Sequence, residues 1–413
     1  METRARVSAG RSSLARASVP NEIPTVDNST KKDSVDATPH TARPHDGVLA
    51  IQSGLHARTE AAVLHSAQRH PIRDSVEAGI FEFYVEEAGR WLDIVSPAGH
   101  MSKTVPKIAM NDILLYSACL AYASHVLYLL GRLDKHTEER YGNAALSLLI
   151  LKLSEDPHTW FEGSVLSTTV LLRVSEQFSE VGDDQQYHLN GAFRVSASVG
   201  RSWSIDRLDL ETTAFWTYLR MTVRQCFLCE QGTNCNMTLI RDHEFDEDIA
   251  SEAGSTNRIS HLLAKLCNAC WAPAGELSKS ELENIKAQIV LWRRALPASF
   301  DPWATFRRRD CPFTTVKYFS TWHVIAWQFY HAAEVLLAVH LAMFLPPTNI
   351  LAQNQYLERE ILIPTRKLCG ATFSTNEIGV EINGAALVAW CGQFLLDKDE
   401  RSSLNEMAEQ DTL

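Results

Sequence analysis

The chain has 413 residues, 45% of them hydrophobic and 22% charged, which is the make-up of a globular protein with one large or two to three smaller domains. A formal net charge of -11 excludes a body that grips nucleic acid through clustered Lys and Arg. Nine cysteines, an odd number scattered without a secretory signal, point to reduced thiols inside a cell.

Residues 1–70 read as a disordered tail containing Arg, Ser and Pro, because the few apolar residues lack any period. Its first 20 residues carry Arg4, Arg6, Arg11 and Arg16 against the single acid Glu2, so a mitochondrial presequence stands as the alternative to a basic tail. Lys31 and Lys32 are too short a run for a nuclear-import signal. Order is expected from about Arg73, with helices over 78–94, 108–133, 137–153, 164–178, 188–200 and 209–229. Residues 242–257 are acidic and then small and polar, which reads as an exposed loop. Helices follow over 258–271 and 280–295, the second announced by Ser278 or Ser280 with Glu283.

The stretch 319–345 is expected to be the central helix. Trp322, Ile325, Phe329, Leu336 and Met343 recur at helical spacing, and Glu334 is its only formal charge. Ser320 or Thr321 can cap its start, and Pro346 and Pro347 stop it. Helices over 351–369 and 379–397 then finish the fold, with 402–413 frayed. Strand patterns are nearly absent, so 71–413 reads as one all-α domain of antiparallel helices around a buried central helix. The charge-free run 113–130 and the apolar run 322–345 are long enough to tempt a membrane assignment. Ser, His and Glu334 within them favour buried helices of a large core.

The commonest catalytic signatures are missing: no nucleophile elbow, no P-loop, no dinucleotide-binding glycines and no zinc-protease motif. Cys226, Cys229 and Cys235 with Cys267 and Cys270 have the spacing of a zinc site. Both close pairs fall inside helical patterns, however, where they read as free thiols. His323, His331 and His340 lie on the central helix, with Glu334 one turn beyond His331. They read as core or pocket-lining histidines satisfied by helix neighbours, since no matching Glu-x-x-His pair is found on the other expected helices to complete a metal centre. Trp322, Trp327, Phe329 and Tyr330, with Trp292 and Trp303, are expected to pack the core rather than line a ligand pocket. The acidic run 242–248 around Phe245 reads as a solvated loop rather than an activation surface. No catalytic, cofactor-binding or metal-binding residue is assigned, and no cofactor.

An ordered set of segments carries a resemblance. They are AFWTYLR at 214–220, LWRRALPASFDP at 291–302, WHVIAWQFYH at 322–331, RKLCG at 366–370 and AWCGQFLLDKDER at 389–401, with CLAYASHVL at 119–127 ahead of them. In this order the chain resembles the fungal-specific transcription factor regulatory domain, the helical domain that accompanies the fungal binuclear zinc cluster. The resemblance implies an all-helical domain without catalytic residues that regulates activity, senses small molecules or contacts partners. The six-cysteine zinc cluster has no counterpart here, since the first cysteine is Cys119 inside a helix; direct sequence-specific DNA reading is therefore not expected.

The function expected is that of a fungal-type transcription regulator or co-regulator in the nucleus, controlling a biosynthetic gene cluster through contacts with a DNA-bound zinc-cluster factor. Homo- or hetero-dimerisation and a small-molecule ligand belong to the same expectation. Two alternatives stand beside it. One is an enzyme of secondary metabolism that reuses the core, with His323, His331 or Glu334 as acid or base. The other is a small-molecule sensor in the cytoplasm or mitochondrion.

Overall fold

The computed structural model describes residues 71–155, 162–177, 202–233, 235–241, 251–271, 277–346 and 349–410. The tail 1–70, the helix expected at 188–200 and the acidic run 242–248 lie outside the described residues.

Helix α1, Ser75–Glu86, starts where the Asp74 carboxylate accepts from the amides of Val76 and Glu77, both at 2.9 Å. The sequence suggested one helix through residue 94, but the chain tightens into a 3₁₀ turn, Ala88–Leu92. Gly89 allows this: a Cβ there would lie 2.9 Å from the Tyr84 carbonyl oxygen. The helix expected over 108–133 is α3, Ile113–Leu129, and its first residues belong instead to the end of a separate helix α2, Val105–Ala109. Asp112 separates them by capping the amides of Leu114 and Leu115. At the far end of α3, Gly131 takes a left-handed conformation (φ 67°), and the amides of Gly131 and Arg132 bond back to Tyr128 and Leu127.

Helices α4, Lys135–Glu155, α5, Gly163–Gln177, and α6, Leu210–Cys229, continue the series. A short parallel pair joins β1, Trp203–Ser204, to β2, Ile240–Arg241. Helix α7 spans Glu252–Cys270 and so absorbs the second half of the expected 242–257 loop. The hydroxyls that made this stretch look loop-like are satisfied inside the helix. Ser251 caps the Gly254 amide, while Thr256 and Ser260 donate to carbonyls one turn back, at 3.2 and 2.8 Å.

After α8, Lys279–Ala295, comes a feature that the sequence did not suggest. An antiparallel hairpin pairs β3, Ala304–Arg307, with β4, Thr314–Lys317, in the register Ala304↔Lys317 to Arg307↔Thr314. Helix α9, Thr321–Leu341, is the expected central helix. Ser320 occupies the N-cap without a side-chain bond, and Thr321 instead donates to the Ile94 carbonyl at 2.8 Å. Then α10, Ile350–Tyr356, runs through a π-helical turn, Leu357–Leu362, into α11, Ile363–Phe373. Helices α12, Ile378–Gly392, and α13, Lys398–Gln410, close the described chain; the fraying expected from 402 is instead helix.

The fold is all-α, with the expected buried central helix α9 and a second axial helix, α3. Helix α3 is sheathed by α1, α4 and α5, and α9 by α7, α8, α11 and α12, while α6 bridges the halves by contacting α5, α7 and α12. One continuous hydrophobic cluster runs from Ile80 to Leu395. The segment Thr321–Phe344 is long and apolar enough to cross a membrane, yet 72% of its apolar window is buried inside the protein, as the sequence reading held.

Candidate functional site

Helix α9 sends polar side chains to several of the elements packed around it. At its first turn, Trp322 Nε1 and His323 Nε2 reach the same oxygen, Glu252 Oε2, at 3.0 and 2.9 Å. Glu252 sits in the first turn of α7, where exposed amides favour an anion. Hydrogen bonds from Ser299, then Trp322 and His323, hold its carboxyl below the usual range. The His323 ring is buried and lies 4.3 Å from the Phe300 ring. Burial outweighs the carboxylate and pushes its pKa down, so the ring is neutral near pH 7, donating from Nε2 and leaving Nδ1 without a partner.

One turn along, Trp327 Nε1 donates to the Phe300 carbonyl at 2.8 Å, and the Arg293 guanidinium stands 4.6 Å from the Trp327 ring centroid. The His331 ring stacks on Trp327, and its Nδ1 lies 2.8 Å from Glu334 Oε2. Burial, Lys367 and Arg293 lower the His331 pKa, against the raising effect of Glu334. His340 Nδ1 faces the Leu336 carbonyl at 2.9 Å. All three histidines therefore have a helix or cross-helix partner, although for His323 that partner comes from α7 and not from its own helix.

Sequence reading missed the next two centres. Gln328, fully buried, donates to the Val380 carbonyl at 3.1 Å and to Thr372 Oγ1 at 3.2 Å, and accepts from Asn383 at 3.0 Å. A lone Gln in an otherwise apolar helix was the available signal. Arg220 on α6 is 1% exposed and is held by neutral acceptors, Asn257 Oδ1 at 3.3 Å and Thr217 Oγ1 at 3.1 Å. Burial brings its pKa down to about 9, opposed by Asp93.

These groups do not converge. Eight residues separate His323 from His331, about 12 Å along a helix and roughly 80° around it, and each is committed to its own carboxylate. A surface depression of about 390 Å³ between the ends of α6 and α12 is lined by Phe227, Cys229, Glu230 and Trp390, where Trp390 Nε1 donates to Glu230 at 2.9 Å. None of the three histidines lines it. The cysteine motif is likewise divided. Cys226 and Cys267 adjoin in the core with Cys235 near Cys226, whereas Cys229 is exposed beside Gln225. Burial pushes the Cys270 thiol up to about 12. Among the described residues, no three His, Cys, Asp or Glu side chains are grouped to hold a metal.

The expected aromatic core is mostly present. Trp292 stacks on Tyr330 with centroids 5.6 Å apart and donates to the Ser255 carbonyl at 2.8 Å, and Phe329 is fully buried. Trp303 is a correction: it is 59% exposed, beside Phe319, which is 72% exposed. The hairpin carries both outward because β4, not the flank that bears Trp303, rests on α11.

Several of the quoted phrases of the sequence mark joints between elements of the fold. AFWTYLR places Trp216 on the Ser204 carbonyl at 3.0 Å and contributes Arg220. RKLCG supplies Arg366, which bridges Glu400 at 2.6 Å and Glu358 at 2.7 Å. CLAYASHVL supplies His125, 3.0 Å from Glu138. Such an arrangement fixes elements of the fold against one another.

The chain matches the family model of the fungal specific transcription factor domain over residues 80–355. Searches of curated proteins and of solved structures gave no match. The matched span takes in both axial helices, and it supports a role in transcription regulation. On that match, the chain belongs to the fungal specific transcription factor domain family.

Proposed function

We propose that this protein is a nuclear transcription regulator or co-regulator that acts by protein-protein contact on a DNA-bound factor of the zinc-cluster type, and that it serves a biosynthetic gene cluster. In this reading residues 71–413 form the regulatory domain and 1–70 its tail. Homo- or hetero-dimerisation and a small ligand that biases helix positions are part of the proposal. The observation that supports it is the family match over 80–355, lying on a core whose polar side chains are spent on interhelix joints. Weighing against the enzyme alternative, His323 and His331 are buried and each is paired with a carboxylate, Glu252 and Glu334.

Chromatin crosslinking and pull-down of the tagged protein from its own cells tests the reading. Discrete promoter fragments, with a zinc-cluster protein in the same eluate, are expected. No enrichment over untagged cells, with the protein cytosolic or mitochondrial across growth conditions, overturns it.

A further inference from the structure

The β3–β4 hairpin departs from the rest of the molecule in charge and in exposure. The chain carries a net charge of -11, yet Arg307, Arg308 and Arg309 follow one another at the hairpin's end, all exposed. Arg308 pairs with Asp310 through Nε at 3.0 Å, while Arg307 and Arg309 make no ion pair among the described residues. The same hairpin exposes aromatic rings along its length: Phe306, 47% exposed, within β3, Trp303 just before β3 and Phe319 just after β4. Strand β3 pairs with β4 alone among the described residues, so its outer edge carries no strand. Three features that proteins ordinarily keep apart or cover are gathered here: unpaired cations, exposed large rings and an open sheet edge.

The hairpin is also firmly held. Phe313 is 2% exposed and meets Phe373 with ring centroids 6.0 Å apart. The Val316 amide donates to Ser374 Oγ at 2.8 Å, and Lys317 Nζ donates to the Ser374 carbonyl. The helix α11 backbone comes so close that a Cβ on Gly370 would sit 2.4 Å from the Thr314 carbonyl oxygen. An edge presented on such a base loses little freedom when a second strand joins it.

We infer that the β3 edge, with Arg307, Arg309, Trp303 and Phe306, is a docking surface for an extended, acidic and aromatic peptide segment of a partner protein. This rests on the protein-contact reading above and names the chemistry of one contact. The sign of the charge selects acidic side chains. The open edge selects an extended backbone, which can add a strand and exchange main-chain hydrogen bonds. The exposed rings select apolar or aromatic residues between the acids, as the hot spots of interfaces do. A nucleic acid fits less well. It has no peptide backbone with which to complete a sheet edge.

The test uses the full-length chain and a fluorescently labelled synthetic peptide that alternates Asp or Glu with Phe or Leu. Its controls are the same peptide with Asn and Gln replacing the acids, and a duplex DNA. The acidic peptide is expected to bind with an affinity that falls as salt rises. An R307E/R309E double variant with unchanged circular dichroism should weaken it by at least about tenfold. Trp303→Ser should weaken it separately and remove any change in tryptophan emission that the peptide causes. Absence of binding by the wild type, equal binding by the double variant, or tighter binding of duplex DNA than of the peptide would each overturn the inference. In cells, wild-type protein absent from chromatin sinks the regulator reading, while the peptide titration decides the hairpin independently. Wild type and double variant equally retained at promoters with the same zinc-cluster partner would instead overturn the hairpin and leave the regulator reading intact.

Discussion

Arg220 is the more deeply buried of two buried arginines on α6, and its cost can be weighed against its bonds. Two neutral acceptors hold a guanidinium that is 1% exposed, and burial has brought its pKa down to about 9. Removing a desolvated charge and its bonds together is commonly neutral or stabilising, whereas stripping a partner from the charge is not. Arg220→Met is therefore expected to stay within about 1 kcal/mol of the wild type or to exceed it. Asn257→Leu, which leaves the cation in place and also frees the Ile205 carbonyl, should cost about 2–4 kcal/mol in urea denaturation. The reverse ranking would mean that Arg220 holds something more than these two acceptors. The buried histidines give a second prediction at this scale. Burial lowers the pKa of both His323 and His331 from the ordinary 6.5, so the unfolded state takes up their protons first as pH falls. Stability from these groups is full above pH 6.5 and is lost as pH drops through the depressed folded values. Thermal denaturation should show a lower midpoint at pH 5 than at pH 7.5, and a His323→Gln/His331→Gln variant should show a flatter profile. A midpoint that rises on acidification would contradict the sign.

Elements differ in how far the sequence announces them. The apolar helices α3 and α9 are plain from their period, whereas α7 and α13 are not, since Ser, Thr, Gly and charged residues mask them. Back-bonded hydroxyls explain α7. Helix α13 is fixed by Glu400 on Arg366 and by Leu404 against Gly392, partners that no local pattern reveals. Strands β3 and β4 are four residues each, too short for an alternation to register, and β3 runs into three arginines. What seats this hairpin is tertiary: the bare Cα of Gly370 against the Thr314 carbonyl. Gly370→Ala must push β4 off α11 or bend the helix, and should lower stability by about 1–3 kcal/mol. Gly79→Ala is the matched control. It lies inside α1 with nothing within 4 Å of an added Cβ, so it should raise stability by up to about 1 kcal/mol. If both substitutions shift the denaturant midpoint the same way, helix propensity and not the close approach governs Gly370.

At the scale of the molecule, the ordered phrases identify the domain while hiding what they do in it. Glu252 and His323 are 71 residues apart, and Glu230 and Trp390 are 160 apart. Periodicity shows which face of a helix is buried but not which distant residue will meet it, so the joints became visible only in three dimensions. The same joints bear on cooperativity. A chain with two axial helices could unfold as two units, and larger proteins commonly do. Here α6 works against that division: Phe215, Leu219 and Val223 lie in the continuous core, Arg220 reaches Asn257 on α7, and Phe227 meets Trp390 on α12 with centroids 5.4 Å apart. A fragment comprising residues 71–413 is thus expected to unfold in one transition, with fluorescence and far-ultraviolet circular dichroism coincident and a midpoint matching that of the full chain. Trp216→Ala, which removes the bond to the Ser204 carbonyl and a buried ring, should destabilise the whole by about 3–5 kcal/mol, without splitting the transition. Two separated transitions in the fragment would show that the α3 and α9 halves fold independently, and α6 would then be a hinge between domains instead of a shared wall.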